Sequence, residues 1–172
     1  MSEIPSFADA NVRSQTYYVA RTNALCWHCG WSTGVLALAM PRNHETLEAD
    51  TQGDADGGES ASDAWQRAAV NAILFYVARL PDDVRRRLNR ISPFFRLAHS
   101  AATVNRYWAN HCEHCGSLLG DHELHCEPGG AFMPSSEAAA ADIRLLEIEE
   151  PCAAAAAGYS VEPEFFGLMR KG

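Results

Sequence analysis

Two matching cysteine segments decide the fold of this chain: Cys26-Trp27-His28-Cys29-Gly30-Trp31-Ser32-Thr33-Gly34 and Cys112-Glu113-His114-Cys115-Gly116-Ser117-Leu118-Leu119-Gly120. Both follow the pattern C-x-H-C-G-x-x-x-G. A CxxC pair on a tight turn directs two thiolates at one metal ion, and the following glycine permits the positive φ that turns backbone N–H groups toward the sulfur atoms. Two pairs give a closed tetrahedral site of the kind that structural zinc occupies. We therefore predict that one structural Zn²⁺ is bound by Cys26, Cys29, Cys112 and Cys115.

Two other interpretations of these cysteines are weaker. Buried free thiols would not require two CxxC pairs with matching flanking residues. A thioredoxin-like redox motif opens a helix within a βαβ unit, whereas Cys29 is followed by Gly30 and then by a segment that is predicted to form a β-strand. In a reducing compartment, paired CxxC motifs are more often metal ligands than disulfides.

Other side chains with metal-binding or recognition chemistry receive a structural interpretation. Each CxxCG turn is called a knuckle here. His28 lies in the middle of the first knuckle and His114 in the middle of the second, and we expect both side chains to face outward rather than to bind the metal. Cys126 and Cys152 have no CxxC partner, and we expect small buried thiols there. We also expect three large aromatic residues to pack over the zinc site rather than form a binding surface: Trp31, Tyr107 and Trp108.

The two knuckles resemble those of the zinc-ribbon family, in which two CxxCG turns, each leading into a β-hairpin, share one zinc. The resemblance implies a first knuckle at Cys26 and Cys29 and a second at Cys112 and Cys115. Here 82 residues separate the knuckles, so the resemblance implies a split ribbon with a domain-sized insertion. The stretch 110–134 is also similar to small uncharacterised bacterial zinc-ribbon proteins. Zinc ribbons serve several unrelated processes, so the resemblance implies no particular activity.

The rest of the chain predicts an α+β fold in a single domain, 1–172. Residues 16–42 and 104–150 are assigned to the zinc-ribbon β-region, with strands at 16–21, 35–40, 94–100, 104–108, 121–126 and 143–148. Residues 43–63 are acidic and poor in large apolar side chains, which predicts a flexible loop. Residues 151–172 are assigned to a C-terminal tail, whose alanine run 153–157 is either one helical turn or unstructured.

Residues 64–103 are interpreted as a mainly helical insertion. Apolar residues between 65 and 80 recur at spacings of three and four, which favours an amphipathic helix, although 73–77 could alternatively form a strand. Pro81 opens a second helix, with Asp82 and Asp83 in its positive first turn. We expect the buried face of this helix to consist of Val84, Leu88 and Ile91.

Composition restricts the class of protein. Hydrophobic residues make up 47% of the chain, which is enough for a packed core. No apolar run approaches the roughly 18 residues that cross a bilayer, and the first residues lack the pattern of a signal peptide. We therefore expect a soluble, cytoplasmic protein without a membrane partner.

Charge is unevenly distributed along the chain. The net charge is −8, and seven acids with no basic residue lie between Glu45 and Asp63. Seven arginines lie between Arg79 and Arg106, and four of them fall on the outer face of the second helix: Arg85, Arg86, Arg87 and Arg90. The acidic balance disfavours nonspecific nucleic-acid binding but allows a local basic face.

No catalytic group is convincing in the sequence. Gly30-Trp31-Ser32-Thr33-Gly34 matches a nucleophile elbow, but its first glycine belongs to the knuckle. His122-Glu123-Leu124-His125 is one residue short of the metalloprotease motif, and on a strand the two histidines would face opposite sides. We therefore expect a non-enzymatic zinc protein that binds another protein as an adaptor or regulator. The alternatives are a nucleic-acid regulator using the arginine-rich helix, an antitoxin or immunity protein using the acidic loop, and an enzyme of unrecognised type.

Overall fold

A computed structural model describes residues 10–47, 65–99, 106–161, 163 and 165–172. Within these ranges twelve strands form one mixed sheet, so the predicted α+β fold with a split zinc ribbon and a helical insertion is wrong. The strands are β1 (Val12–Ser14), β2 (Tyr17–Leu25), β3 (Ser32–Met40), β4 (Glu45–Thr46), β5 (Gln66–Arg67), β6 (Ala72–Arg79), β7 (Phe95–His99), β8 (Arg106–His111), β9 (Leu118–Leu119), β10 (Arg144–Ile148), β11 (Cys152–Val161) and β12 (Arg170–Lys171).

Helices are few and short in the described residues. They are helix α1 (Asp82–Ile91), a π-helical turn at His122–Cys126, helix α2 (Glu137–Ala141) and a 3₁₀ turn at Phe166–Leu168. The described part of the chain contains no helix long and apolar enough to cross a bilayer.

The sheet runs in the order β12-β10-β2-β3-β6-β11-β1-β4-β5, and β8 branches from β6 to pair with β7 and β9. Strand β12 lies parallel to β10, and the other pairs are antiparallel. Apolar side chains pack on both faces of the sheet. One core includes Val19, Leu38 and Leu88, and the other includes Ala37, Cys26 and Cys112. Two of the knuckle cysteines, Cys26 and Cys112, therefore take part in the second core.

Helix α1 and several strands agree with the sequence interpretation. Pro81 precedes α1, Asp82 and Asp83 occupy its first turn, and Val84 and Leu88 are buried. Predicted strands at 16–21, 35–40, 94–100 and 143–148 correspond to β2, β3, β7 and β10. The strand predicted at 104–108 corresponds to β8 from Arg106 onward, and its first residues lie outside the described ranges.

The insertion is mainly strand where a helix was predicted. Residues 72–79 form β6, which pairs with β3, β8 and β11 near the middle of the sheet. The alternative strand at 73–77 is therefore correct. Apolar residues at spacings of three and four fit a helix, but a strand buried on both faces is also apolar throughout. Neighbouring strands, rather than the local pattern, decide between them.

The predicted C-terminal tail is also wrong. Cys152–Val161 forms β11, a ten-residue strand between β6 and β1. Alanine favours helices in isolation, yet Ala153, Ala154 and Ala156 are buried in this strand. Gly158 lies under the ring of Phe75 on β6, where a Cβ atom would come within 2.3 Å of the ring. Small side chains let the sheet pack closely here.

Two other predicted elements differ. The predicted strand at 121–126 is wrong, because His122–Cys126 forms a π-helical turn that follows Asp121. The predicted acidic loop 43–63 begins with ordered backbone, because Glu45–Thr46 forms β4 and pairs with β1 and β5. Residues 48–63 of that loop lie outside the described ranges.

Strand β6 is irregular where it meets Asp121. Tyr76 has a φ of 51°, and the register between β6 and β11 shifts between Ala155 and Ala156. The Tyr76 N–H donates to Asp121 Oδ2 at 2.8 Å. Burial raises the pKa of the Asp121 carboxyl to about 7, although the hydrogen bond from Tyr76 lowers it. Below about pH 7 the folded protein therefore favours the protonated acid.

We predict that this carboxyl makes stability fall as pH rises. Its pKa is raised on folding, so its contribution is fully present below about 3.8, the unfolded value, and is lost as pH rises through about 7. Between pH 5 and pH 6.5 the loss should be on the order of 1.4 kcal/mol per pH unit. Asp121→Asn can still accept the Tyr76 N–H and should lack this slope.

Urea unfolding of the protein and of Asp121→Asn at several pH values measures the effect as the difference between their unfolding free energies. Subtracting the two profiles removes the contribution of the other titrating groups. Parallel profiles over pH 5 to 8 would contradict the predicted role of Asp121.

Candidate metal centre

The first knuckle is the turn between β2 and β3. Leu25 and Ser32 are the last register partners of the two strands, and the turn lies between them. The Cys26 N–H donates to the Trp31 carbonyl, and the Gly30 N–H donates to the Cys26 carbonyl, both at 2.9 Å. Gly30 has a φ of 75°, in the left-handed region where glycine carries no Cβ penalty. The glycine thus closes the turn.

The second knuckle repeats this geometry between β8 and β9. The Cys112 N–H donates to the Ser117 carbonyl, and the Gly116 N–H donates to the Cys112 carbonyl, again at 2.9 Å. Gly116 has a φ of 77°. The shared C-x-H-C-G pattern therefore produces two turns with the same backbone hydrogen bonds.

Backbone N–H groups also point at the first sulfur of each knuckle. The His28 N–H lies 3.4 Å from Cys26 Sγ, and the His114 N–H lies 3.4 Å from Cys112 Sγ. Such donors stabilise negative charge on a thiolate. Both sulfurs are thus suited to metal binding.

The four predicted cysteines come together. Their Sγ atoms all lie within 4.8 Å of one another. Cys26 and Cys115 are 3.6 Å apart between sulfurs, as are Cys29 and Cys112. Four thiolates at a zinc–sulfur distance of ~2.3 Å would be separated by about 3.8 Å in a regular tetrahedron. The cluster therefore fits one tetrahedral metal ion, and each knuckle contributes half of the ligands.

Side-chain hydrogen bonds hold the knuckles face to face. Asn110 on β8 donates through Nδ2 to the Leu36 carbonyl and accepts the Leu36 N–H through Oδ1, both at 2.9 Å. The Glu113 N–H donates to Thr33 Oγ1 at 3.1 Å. These contacts join β3 to β8 without a backbone ladder between them.

Cys115 has the most favourable surroundings for a thiolate. The hydroxyl and the backbone N–H of Ser117 lower the pKa of the Cys115 thiol to about 5. The side-chain contact joins Cys115 Sγ and Ser117 Oγ at 3.2 Å. Metals bind the deprotonated form of cysteine, so this environment favours ligation near neutral pH.

The knuckle histidines lie outside the sulfur cluster. His28 and His114 are exposed, as expected, and neither joins the group of atoms that could hold a metal. His114 Nε2 lies 3.1 Å from the Ser32 carbonyl, and its ring lies 5.5 Å from that of Trp31. His114 therefore contributes to the contact between knuckles.

The predictions for the other thiols and for the large aromatic residues agree with the structure only in part. Cys152 is buried as predicted, but Cys126 is exposed at the end of the π-helical turn. Tyr107 is buried and Trp108 is partly buried. Trp31 was expected to pack over the site, yet it is 66% exposed. The prediction for Trp31 is wrong because the turn directs this side chain to solvent.

An apolar surface on the first knuckle was missed by the sequence interpretation. Leu25, Trp27 and Trp31 are 75%, 67% and 66% exposed, and they are the three most exposed large apolar residues in the described part of the chain. The Trp27 indole N–H donates to the Leu118 carbonyl at 2.8 Å, which anchors its ring beside the second knuckle. The tryptophan between Cys26 and Cys29 is the feature of the sequence from which this surface could have been predicted. We call these three residues the knuckle patch.

The two histidines of the H-E-L-H segment have different surroundings. His122 is exposed, whereas His125 is buried between the rings of Phe75 and Phe132. Burial lowers the pKa of His125 to about 3, and its Nδ1 atom has no hydrogen-bond partner. Neither histidine belongs to the group of metal-ligating side chains found among the described residues.

The arginine-rich helix is partly neutralised. Arg85 and Arg86 pair with Asp82 and Asp83 one turn earlier, and Arg87 pairs with Glu150 at 2.9 Å. The nucleic-acid alternative therefore has less free positive charge than the arginine count indicates. The antitoxin or immunity alternative depends on acidic residues that mostly lie outside the described ranges, so it stays a prediction.

Comparisons with known proteins give no relative of this chain. No family model, no curated protein and no solved structure matches it significantly. The interpretation of the site therefore depends on the geometry of its own residues.

Proposed function

We propose that this protein is a non-enzymatic protein-interaction module whose two knuckles are joined by a structural zinc ion. The observation that carries the proposal is the four-sulfur cluster, with Cys26, Cys29, Cys112 and Cys115 all within 4.8 Å. Four thiolates complete the tetrahedral coordination of zinc and leave no position for a reactive water. Zinc in this site would therefore have a structural role.

The knuckle patch supports the assignment to protein binding. Tryptophan is enriched among the residues that dominate binding energy at protein interfaces. Trp27 and Trp31 belong to the turn that would hold the metal, so metal binding would fix the position of both rings. A rigid apolar surface loses little conformational entropy on association.

Charge around the patch favours a protein partner over nucleic acid. Glu113 is exposed on the facing knuckle, and its carboxylate lies 3.6 Å from the His114 ring. A nucleic-acid site combines aromatic stacking with a basic groove that follows the phosphates. The acid here would repel phosphates, so we assign the patch to an apolar surface on another protein.

We predict one zinc ion per chain by native mass spectrometry. Cys112→Ser combined with Cys115→Ser removes two of four ligands and should abolish zinc binding. Cys126→Ser is the matched control, because this exposed thiol lies outside the sulfur cluster. Full zinc content in the double variant would disprove the assignment.

Binding of structural zinc is worth ~10–16 kcal/mol in small domains, so strong chelation should also unfold the sheet, measured by circular dichroism.

The binding role is tested with Trp27→Ser combined with Trp31→Ser. A protein captured from the native host by the wild-type chain should be purified and titrated against both forms. Loss of two hot-spot residues should raise the dissociation constant at least about 30-fold.

Leu97→Ser, which changes another exposed apolar residue, is the control and should bind normally. Zinc content of each variant shows that the metal site is intact. Equal affinity of the double variant and the wild type would contradict the role of the knuckle patch, while leaving the zinc assignment standing.

A further inference from the structure

Three arginines lie side by side across neighbouring strands. Arg144 on β10 is the register partner of Arg21 on β2 and of Arg170 on β12. Register partners project to the same face of a sheet, and neighbouring strands are about 4.8 Å apart. The three residues therefore form a row of positive charges about 10 Å long, which we call the arginine row.

The arginine row has no direct ion-pair partner among the described residues. All three side chains are exposed, and none has an ion pair or hydrogen bond within the described ranges. Elsewhere on the molecule, Arg13 pairs with Glu45 and Arg87 with Glu150. Like charges directly opposite one another destabilise a sheet. A ligand that carries negative charge would offset this cost.

Two adjoining cavities follow the row. The larger has a volume of about 460 Å³ and is lined by Arg21 and Arg144, and its neighbour of about 400 Å³ is lined by Arg144 and Arg170. These volumes fall in the range of small-molecule sites. The larger cavity also has apolar lining residues from the sheet: Val35, Leu36 and Leu146. A ligand could thus place an apolar part on the sheet and anionic groups on the row.

Polar groups complete the lining. Thr22, Asn23 and Asp142 line both cavities, and Ser92, just after α1, lines the larger one. Asp142 is exposed and adds a carboxylate to the lining of both cavities, and Gly172 also lines the larger one. The Asp142 carboxylate can accept a hydrogen bond from a hydroxyl or amino group of a ligand. The combination suits an organic ligand with several anionic oxygens rather than a simple ion.

We propose that this groove binds a small organic molecule bearing a diphosphate or two phosphate groups. Guanidinium groups bind phosphate oxygens through two parallel hydrogen bonds. A phosphate monoester carries about −1.5 to −2 charges near pH 7, against −1 for a carboxylate. One phosphate can contact Arg21 and Arg144, and the second can contact Arg144 and Arg170. The central arginine therefore contributes to both contacts.

Isothermal titration of the zinc-loaded chain with inorganic pyrophosphate at low ionic strength tests the proposal. Arg144→Gln should weaken pyrophosphate binding at least about tenfold, because it removes the arginine shared by both phosphates. Arg96→Gln is the matched control: Arg96 is an exposed arginine on β7 that lines neither cavity, and its loss should leave affinity unchanged. Equal affinity of the wild type and Arg144→Gln, or absence of binding to the wild type, would overturn the proposal.

Thermal unfolding gives a second readout. Pyrophosphate should raise the melting temperature of the wild type but not that of Arg144→Gln. Without ligand at low salt, Arg144→Gln should melt at or above the wild-type temperature, since it relieves like-charge repulsion. A variant that melts well below the wild type and loses zinc would show a structural role for Arg144 and overturn the assignment.

Single-stranded oligonucleotides distinguish a free phosphate compound from a nucleic-acid backbone. Pyrophosphate should bind with an affinity that exceeds that of a short oligothymidylate, because the groove is limited in length and the chain carries a net charge of −8. Tight oligonucleotide binding that pyrophosphate does not displace would overturn the small-molecule assignment.

Discussion

The structure depends on bringing together two turns that are 82 residues apart in the chain. Strands β3 and β8 both pair with β6, but at different points along it, so no backbone ladder joins β3 to β8. The buried Asn110 side chain fills this gap by hydrogen-bonding both backbone groups of Leu36. The four sulfur atoms consequently meet, and a metal held there would stabilise the arrangement of strands that brings them together.

Strand β6 is the element on which this arrangement rests. It pairs with β3, β8 and β11. At its irregular position the Tyr76 N–H donates to the buried carboxyl of Asp121, which follows the second knuckle. Gly158 on β11 makes room for the Phe75 ring. The sheet and the second knuckle are therefore coupled through specific side chains, and loss of either would affect the other.

The β2–β3 hairpin carries both surfaces to which we assign function. Its turn presents the knuckle patch beside the metal site, and its strands contribute Arg21, Val35 and Leu36 to the groove along the arginine row. The patch is apolar and has an acid nearby, whereas the groove is cationic. The two surfaces suit different ligands, so one rigid hairpin could serve a protein partner and a phosphate compound independently.

Elements with strong local signals were predictable from the sequence alone. The cysteine spacing and the following glycines specify both knuckles, and Pro81 with the acids of the first turn specifies α1. Strands β2 and β3 carry the apolar and β-branched composition of a sheet. The identity of the four clustered cysteines also follows from matching flanking residues.

Tertiary structure alone decided the remaining features. Strands β6 and β11 have sequences that also suit helices, and only pairing with distant strands selects the extended form. The exposure of Trp31 depends on how the knuckles face each other, and the arginine row depends on register between strands far apart in the chain. The physical reason is that local propensities differ by less than ~1 kcal/mol per residue, whereas packing and sheet hydrogen bonds add up across the whole molecule.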